Sequence, residues 1–392
     1  LFKGTISDNG YLDHLKISDS ADEVLREAKD VIREHVREGF KVAEQYVQKA
    51  VLFERAAVLA GMADEQLTPR FRIQGSFAYH TVNSPAQNPP QQIDLDDGIY
   101  LPVSFISMKG RAQPSVAASG FFTLVEKILT PLCQKYEWDI DRSKSSCIRI
   151  LINDEVHIDL PLYSIPDKEF KRITEAAYAA DSALRSSVEF ADFAYRSIPH
   201  DQIMLARRNG TWEPSDPRKI EDWFNGAVAS HGKVLRRVCR YLKGWRDYQW
   251  PECSLSSITL MACAVIVFDE LSGDLPDDRD DIALLKVCER LPSLLSGSIP
   301  NPVIPGMMLD EKWKPEERRD FQNRAASLYS ELTQAITQTY EKSTAISRLQ
   351  KVFGKRIPNN QTLLLISSEE AEVKAYPAIS VPAPAVQRSK SG

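Results

Sequence analysis

The stretch from Gln74 to Leu101, QGSFAYHTVNSPAQNPPQQIDLDDGIYL, constrains this chain more than any other. It opens on the pair Gly75-Ser76 and passes through a looped-out segment rich in Pro, Gln and Asn. It closes in a short apolar run carrying Asp94 and Asp96, which reads as a strand. Strand side chains alternate between faces, so these two carboxylates share a face, about 7 Å apart along the strand. Asp97 belongs to the opposite face. Two carboxylates fixed in parallel suit a hard cation such as Mg²⁺, which takes oxygen ligands and shares them with substrate phosphates.

A third carboxylate fits the same picture. In VHIDLPLY, Asp159 stands in an alternating apolar run. CIRILI before it reads as another strand, and Asn153-Asp154-Glu155 as the turn between the two. A hairpin of this kind would carry Asp159 beside the strand bearing Asp94 and Asp96. Three acids on one sheet edge repel one another unless cations neutralise them. Two metals about 4 Å apart would stabilise the attacking and leaving oxygens of a phosphoryl displacement. D-x-D alone is weak, because acids at strand ends are common. The upstream Gly-Ser and the downstream single acid give it weight.

Gly-Ser, then two acids one apolar residue apart, then a later lone acid in an apolar run form the signature of polymerase-beta-like nucleotidyltransferases. QGSFAY, QQIDLDDGIYLP and HIDLPLYSIP resemble the bacterial cGAS/DncV-like nucleotidyltransferases (CD-NTases), and within them the DncV-type cyclic GMP-AMP synthase branch. The wide Ser76-to-Asp94 spacing, filled by the Pro-rich insert, is shared by that branch. The resemblance runs from about residue 65 to 355. It implies an α+β, bilobal architecture with a central cleft: a polymerase-beta-like nucleotidyltransferase core and a helical C-terminal lobe. The expected division is 1–214 for the core lobe, 215–366 for the helical lobe and 367–392 for a flexible tail.

Composition excludes several alternatives. The chain has 392 residues, 43% hydrophobic and 26% charged, which is ordinary for a folded protein. A net charge of −5 argues against an extended nucleic-acid interface, though not against a small basic pocket. The cysteines at 133, 147, 239, 253, 263 and 288 form no C-x-x-C pair and read as reduced core residues of a cytoplasmic protein. The six histidines form no H-x-x-x-H zinc pattern. No apolar run reaches the roughly 18 residues of a membrane span, and no secretory signal is read at the start.

In chain order, Asp19 or Ser20 is the expected cap of a long helical region reaching about Ala60. Val24, Leu25, Ala28, Val31 and Ile32 form its apolar stripe and Gly39 an interruption. Lys29, Arg33, Arg37 and Lys41 lie at helical spacing and read as a solvated face. A strand then delivers Gly75, whose lack of a side chain lets backbone approach a phosphate. Ser76 serves as phosphate ligand, as helix cap, or both. The resemblance adds nucleotide contacts for Gln74, Ser76 and Tyr79, although a core role for Tyr79 fits the sequence equally well. After a polar linker, Phe121, Phe122, Val125, Ile128, Leu129 and Leu132 form a core stripe. Arg149, on the face of its strand opposite Ile148 and Ile150, needs a partner: a triphosphate, which the resemblance favours, or a carboxylate.

Further on, Ser215 is the expected N-cap of a helix from about 217 to 247, with Pro217 in its first turn. Arg236, Arg240 and Lys243 share a face of that helix, with Trp245 and Trp250 nearby. The resemblance assigns Lys243 to a substrate triphosphate, Ser215 and Ser257 to nucleotide contacts, and Asp310 to a nucleobase. From Ser367 onward the chain lacks a core pattern.

The resemblance therefore implies a cyclic dinucleotide synthase of bacterial antiphage signalling (CBASS). It would use two Mg²⁺ to join ATP and GTP into 3′,3′-cyclic GMP-AMP for a downstream effector. In relatives encoded beside ubiquitin-transfer-like E1/E2 enzymes such a tail is a conjugation substrate; an ordinary frayed terminus explains its composition equally well. A different cyclic di- or trinucleotide, a template-independent terminal transferase and a non-catalytic nucleotide sensor are the competing readings.

Overall fold

The computed structural model describes residues 1–42, 68–102, 114–181, 194–271 and 279–365. The expected helical stretch beyond 42, part of the polar linker, the pattern between 182 and 193, and the tail lie outside these residues.

The period-two runs become one mixed sheet. Its strands are β1 (Arg70–Gln74), β2 (Ile93–Pro102), β3 (Asp139–Asp141), β4 (Cys147–Leu151), β5 (Val156–Ile165), β6 (Met204–Ala206) and β7 (Trp212–Pro214). The order is β1-β2-β5-β4-β3, with β6 pairing β5 and β7 pairing β6. All ten residues of β5 are buried, as befits a central strand with neighbours on both sides. β2 runs parallel to β5, while β4 and β5 form the expected antiparallel hairpin.

The helices are α1 (Tyr11–His14), α2 (Asp19–Lys41), α3 (Gly75–Ala78), α4 (Pro114–Tyr136), α5 (Asp167–Asp181), α6 (Pro217–His231), α7 (Lys233–Gln249), α8 (Ser257–Leu271), α9 (Asp280–Ser296), α10 (Pro315–Thr333) and α11 (Lys342–Phe353). α2 and α4 cover the apolar sheet face. Leu25, Ile32, Phe122, Val125 and Ile128 pack there on Ile93, Leu95, Ile99, Ile158 and Leu160. This packing dictates the other face: with odd-numbered residues of β2 and even-numbered residues of β5 turned to the helices, Asp94, Asp96, His157 and Asp159 face away from them.

Several local expectations change. Ser18, not Asp19 or Ser20, caps α2, accepting from the Ala21 N–H at 3.1 Å. Helix α2 continues through Gly39, where a Cβ would collide with Ile128, so this glycine permits close helix packing rather than a break. The basic face of α2 is not simply solvated. Arg33 makes a bidentate pair with the fully buried Asp97, at 2.7 and 2.6 Å. Arg37 lies 5.2 Å from the Phe71 ring centroid.

α6 to α11 form the second lobe around one apolar core. α8 is buried along Thr259–Phe268 except at Ile266, and each such Leu, Val or Phe contributes about 1.5–3 kcal/mol. Phe2, Tyr11 and Leu15 join this helical core although they precede the sheet in sequence. The expected single helix over 217–247 is two helices. Gly232, at φ +83°, ends α6 with a backbone conformation that only glycine adopts easily, and α7 restarts at once. Asp216 rather than Ser215 caps α6, its carboxylate accepting from the Arg218 N–H at 2.9 Å. Trp245 and Trp250 belong to the core, 5.3 Å apart edge-to-face, and not to a binding face.

The Pro-rich insert joins the lobes. The Gln91 side-chain amide donates to the Asp247 and Trp250 carbonyls at 2.8 and 2.7 Å, satisfying groups exposed at the end of α7. Arg356 adds bonds to the Ser84 and Gly244 carbonyls at 2.8 and 2.7 Å.

Candidate active site

The site lies where β1 hands over to α3 across from β2 and β5. Gly75 adopts φ +65°, and an added Cβ would overlap the Asp96 carboxylate. Only glycine lets that carboxylate lie against the backbone. Ser76 follows in the first turn of α3; the N-cap position is held by Gln74, not Ser76. Gln74 is buried and donates to the Tyr163 hydroxyl at 3.1 Å, while its Oε1 has no hydrogen-bond partner.

The register of β2 on β5 pairs Asp94 with His157 and Asp96 with Asp159. The three expected acids therefore converge on one face. Burial, then the charges of Asp94 and Asp159, push the Asp96 carboxyl well above its ordinary pKa; Arg149 and Lys243 oppose the rise. On β4, Arg149 stands opposite Asp159 and donates to both its oxygens at 2.7 Å, while lying 4.0 Å from Asp94. Of the two partners expected for Arg149, the structure supplies a carboxylate, and it is that of Asp159 itself.

His157 was not among the expected ligands. It lies two residues before Asp159 and so shares its face, a signal that a search for H-x-x-x-H spacing passes over. Asp94, His157 and Asp159 each offer one ligand atom, all within 4.8 Å of one another. The His157 Nε2 and Asp94 Oδ1 atoms are 3.1 Å apart, and both are buried without a hydrogen bond. Two unsatisfied ligand atoms in an acidic cluster suit a divalent cation, so the residues present fit one.

The basic face of α7 meets the segment that follows α3. Arg236 donates to the Tyr79 carbonyl at 3.0 Å and Arg240 to the Asn83 side chain at 2.9 Å. The buried Lys243 donates to the Thr81 carbonyl at 2.6 Å. Burial, followed by the nearby Arg246, lowers the Lys243 pKa to about 8. Tyr79 is half-buried, edge-on to Phe224 at 6.5 Å. Ser257 begins α8 and accepts from Arg246 at 2.9 Å; the side chain that bonds the Thr259 N–H is that of Ser256.

Two further residues expected at the nucleotide have protein partners of their own. Asp310 is buried and both its oxygens are taken, one by the Ile299 N–H at 2.8 Å and the other by Arg318. It braces the loop before α10. Ser215, displaced from the cap by Asp216, donates its backbone N–H to the Ile203 carbonyl at 3.1 Å.

Among the described residues, no helix is long and apolar enough to cross a membrane. Two family models match the chain: "Cyclic GMP-AMP synthase DncV-like, nucleotidyltransferase domain" over residues 69–163, and "Cyclic GMP-AMP synthase, C-terminal domain" over residues 232–366. A cyclic GMP-AMP synthase of Vibrio cholerae is 33% identical over 80% of this chain and 72% of its own length. One of Escherichia coli is 30% identical over 93% of this chain and 92% of its own. The crystal structure of Vibrio cholerae DncV cyclic AMP-GMP synthase with the linear intermediate 5′ pppA(3′,5′)pG superposes with a TM-score of 0.73. It has 29% identity and covers 93% of this chain and 97% of that one. The paired acids of β2 and β5, the glycine that admits them and the helical lobe behind them place this chain in the DncV-like cyclic GMP-AMP synthase family of nucleotidyltransferases.

Proposed function

We propose that the chain joins ATP and GTP into 3′,3′-cyclic GMP-AMP by two successive nucleotidyl transfers at one site. The observation that carries this reading is the in-register pairing of Asp96 with Asp159, beside Asp94 and against Gly75. Asp94, Asp96 and Asp159 would hold two Mg²⁺, which lower the pKa of an acceptor ribose hydroxyl and neutralise the leaving pyrophosphate.

The protein's own groups position and neutralise charge, the main source of rate in phosphoryl transfer. Ser76, Arg149 and Lys243 grip the triphosphate. Arg149 holds Asp159 through both carboxylate oxygens, and its guanidinium would also suit a substrate phosphate. Gln74, Tyr79 and Ser257 line the bound nucleotides, between a core lobe ending near residue 214 and the helical lobe after it. The linear intermediate bound to the Vibrio relative supports a path in which a first transfer makes pppApG and a second closes the ring. The product would signal to an effector in antiphage defence. Five buried, free cysteines suit a cytoplasmic setting.

A different cyclic di- or trinucleotide would use the same acids with other base contacts. A terminal transferase would need a continuous basic groove, which a net charge of −5 disfavours. Mass spectrometry of products from the four NTPs with Mg²⁺ separates these readings, with Asp94→Asn/Asp96→Asn as control. Cyclic GMP-AMP made by the parent and not by the control supports the proposal. Linear oligonucleotides, or full activity in the control, would sink it.

A further inference from the structure

We propose that His157 is a nitrogen ligand of the divalent cation held by Asp94 and Asp159, and that it biases the site toward Mn²⁺ over Mg²⁺. The inference deepens the metal-dependent reading above and rests on it.

The tautomer of His157 follows from its neighbours. Its Nδ1 lies 3.0 Å from Gln92 Oε1. The Gln92 amide cannot be turned around, because its Nε2 donates to the Asn153 carbonyl at 3.0 Å. An oxygen therefore faces Nδ1, and Nδ1 carries the proton. In the neutral ring Nε2 is then a lone pair. A bound histidine commonly has this arrangement, with one nitrogen donating to an oxygen and the other facing the metal.

Nε2 has no use within the protein. His157 is 5% exposed, so water does not readily serve it. Asp94 Oδ1, at 3.1 Å, is close enough for a hydrogen bond, yet the two atoms are not aligned for one, and both remain unsatisfied. Two unpaired buried acceptors in contact are costly, at about 1–3 kcal/mol each. A cation bound by both removes that cost. Asp159, on the same strand face, supplies the third ligand atom within 4.8 Å.

An imidazole nitrogen matters for selectivity. Mg²⁺ prefers oxygen and dehydrates reluctantly, whereas Mn²⁺ accepts nitrogen more readily. His157 thus favours the softer ion without excluding the harder one.

The test uses the full, tag-free, metal-stripped protein with one equivalent of Mn²⁺ and no nucleotide. Electron spin echo envelope modulation reports nitrogen bound to Mn²⁺. The expected result is a ¹⁴N modulation that converts to ¹⁵N when histidine alone is labelled, a readout that needs no variant. His157→Asn keeps an amide N–H for Gln92 but removes Nε2. It should abolish the modulation and weaken Mn²⁺ binding about tenfold. Mg²⁺ binding should change less than about threefold, since that ion prefers oxygen. Failure of Mn²⁺ to bind, binding without histidine modulation, or unchanged Mn²⁺ affinity in His157→Asn would each overturn the proposal. None of these readouts involves turnover, so nucleotidyl transfer stands or falls separately, on the products made from NTPs.

Discussion

Replacing Gly75 by alanine should damage the site more than its size suggests. Two costs combine. A non-glycine residue at φ +65° is strained by about 1–3 kcal/mol. The new methyl would also overlap the Asp96 carboxylate, with Cγ at 3.1 Å, so the oxygen must retreat by about 1 Å. A displacement of that size in a positioned group costs on the order of 10²-fold in rate, close to 2.7 kcal/mol of transition-state stabilisation. Gly226 provides the control, because it is an exposed glycine of α6 with nothing within 4 Å of its Cβ. Gly226→Ala should leave the rate alone and stabilise the protein by about 0.5–1 kcal/mol, through helix propensity. The assays are thermal melting and the initial rate of nucleotide product formation. Gly75→Ala with a rate within about threefold of the parent, a loss under ~0.7 kcal/mol, would refute the idea that Asp96 is seated by this glycine.

Three more expectations follow from the same geometry. The Asp96 pKa is raised first by burial and then by Asp94 and Asp159, so the native carboxyl keeps its proton to higher pH than the unfolded chain does, and stability falls as pH rises above the ordinary carboxylate value. Asp96→Asn should therefore melt higher than the parent at neutral pH in chelator, with the gain vanishing in acid where Asp96 is already neutral. Lys243 is charged below about pH 8 and neutral above it, so the apparent KM for triphosphate should rise across that range. Lys243→Ala should raise the KM about tenfold and flatten the pH dependence, and an unchanged KM would leave the lysine as a structural tie to Thr81. Arg33→Met strands the fully buried Asp97 carboxylate and should cost about 3–5 kcal/mol in denaturant unfolding.

What was legible in the sequence was local and periodic. Alternation alone placed Asp94 and Asp96 on one face of β2, and the short turn at Asn153–Glu155 marked the hairpin that carries Asp159, while the parallel pairing of β5 with β2 brings the acids together. The core stripe of α4 was equally plain from its spacing. Features set by distant partners were not. Arg33 reads as a surface cation until Asp97, 64 residues away, is placed beside it. Gly39 reads as a helix breaker until Ile128 is packed against it. The opposite error occurred at Gly232, where one expected helix concealed a helix end. Adjacent capping residues defeated prediction at Ser215 and Asp216, because either member of the pair has suitable chemistry. The ties of Asp310 to Ile299 and Arg318 are likewise set by the fold and not by its neighbours in sequence. His157 lay in plain sight one alternation before Asp159.

The central claim is that one cluster of acids performs both transfers. A time course with ATP, GTP and Mg²⁺, quenched and resolved by mass spectrometry, tests it most directly. The account predicts that pppApG rises first and then converts to cyclic GMP-AMP, with one pyrophosphate released at each step, and that Asp159→Asn loses both steps together. Linear products that lengthen steadily without closing, or an Asp159→Asn protein that still makes the ring at the parent rate, would contradict it.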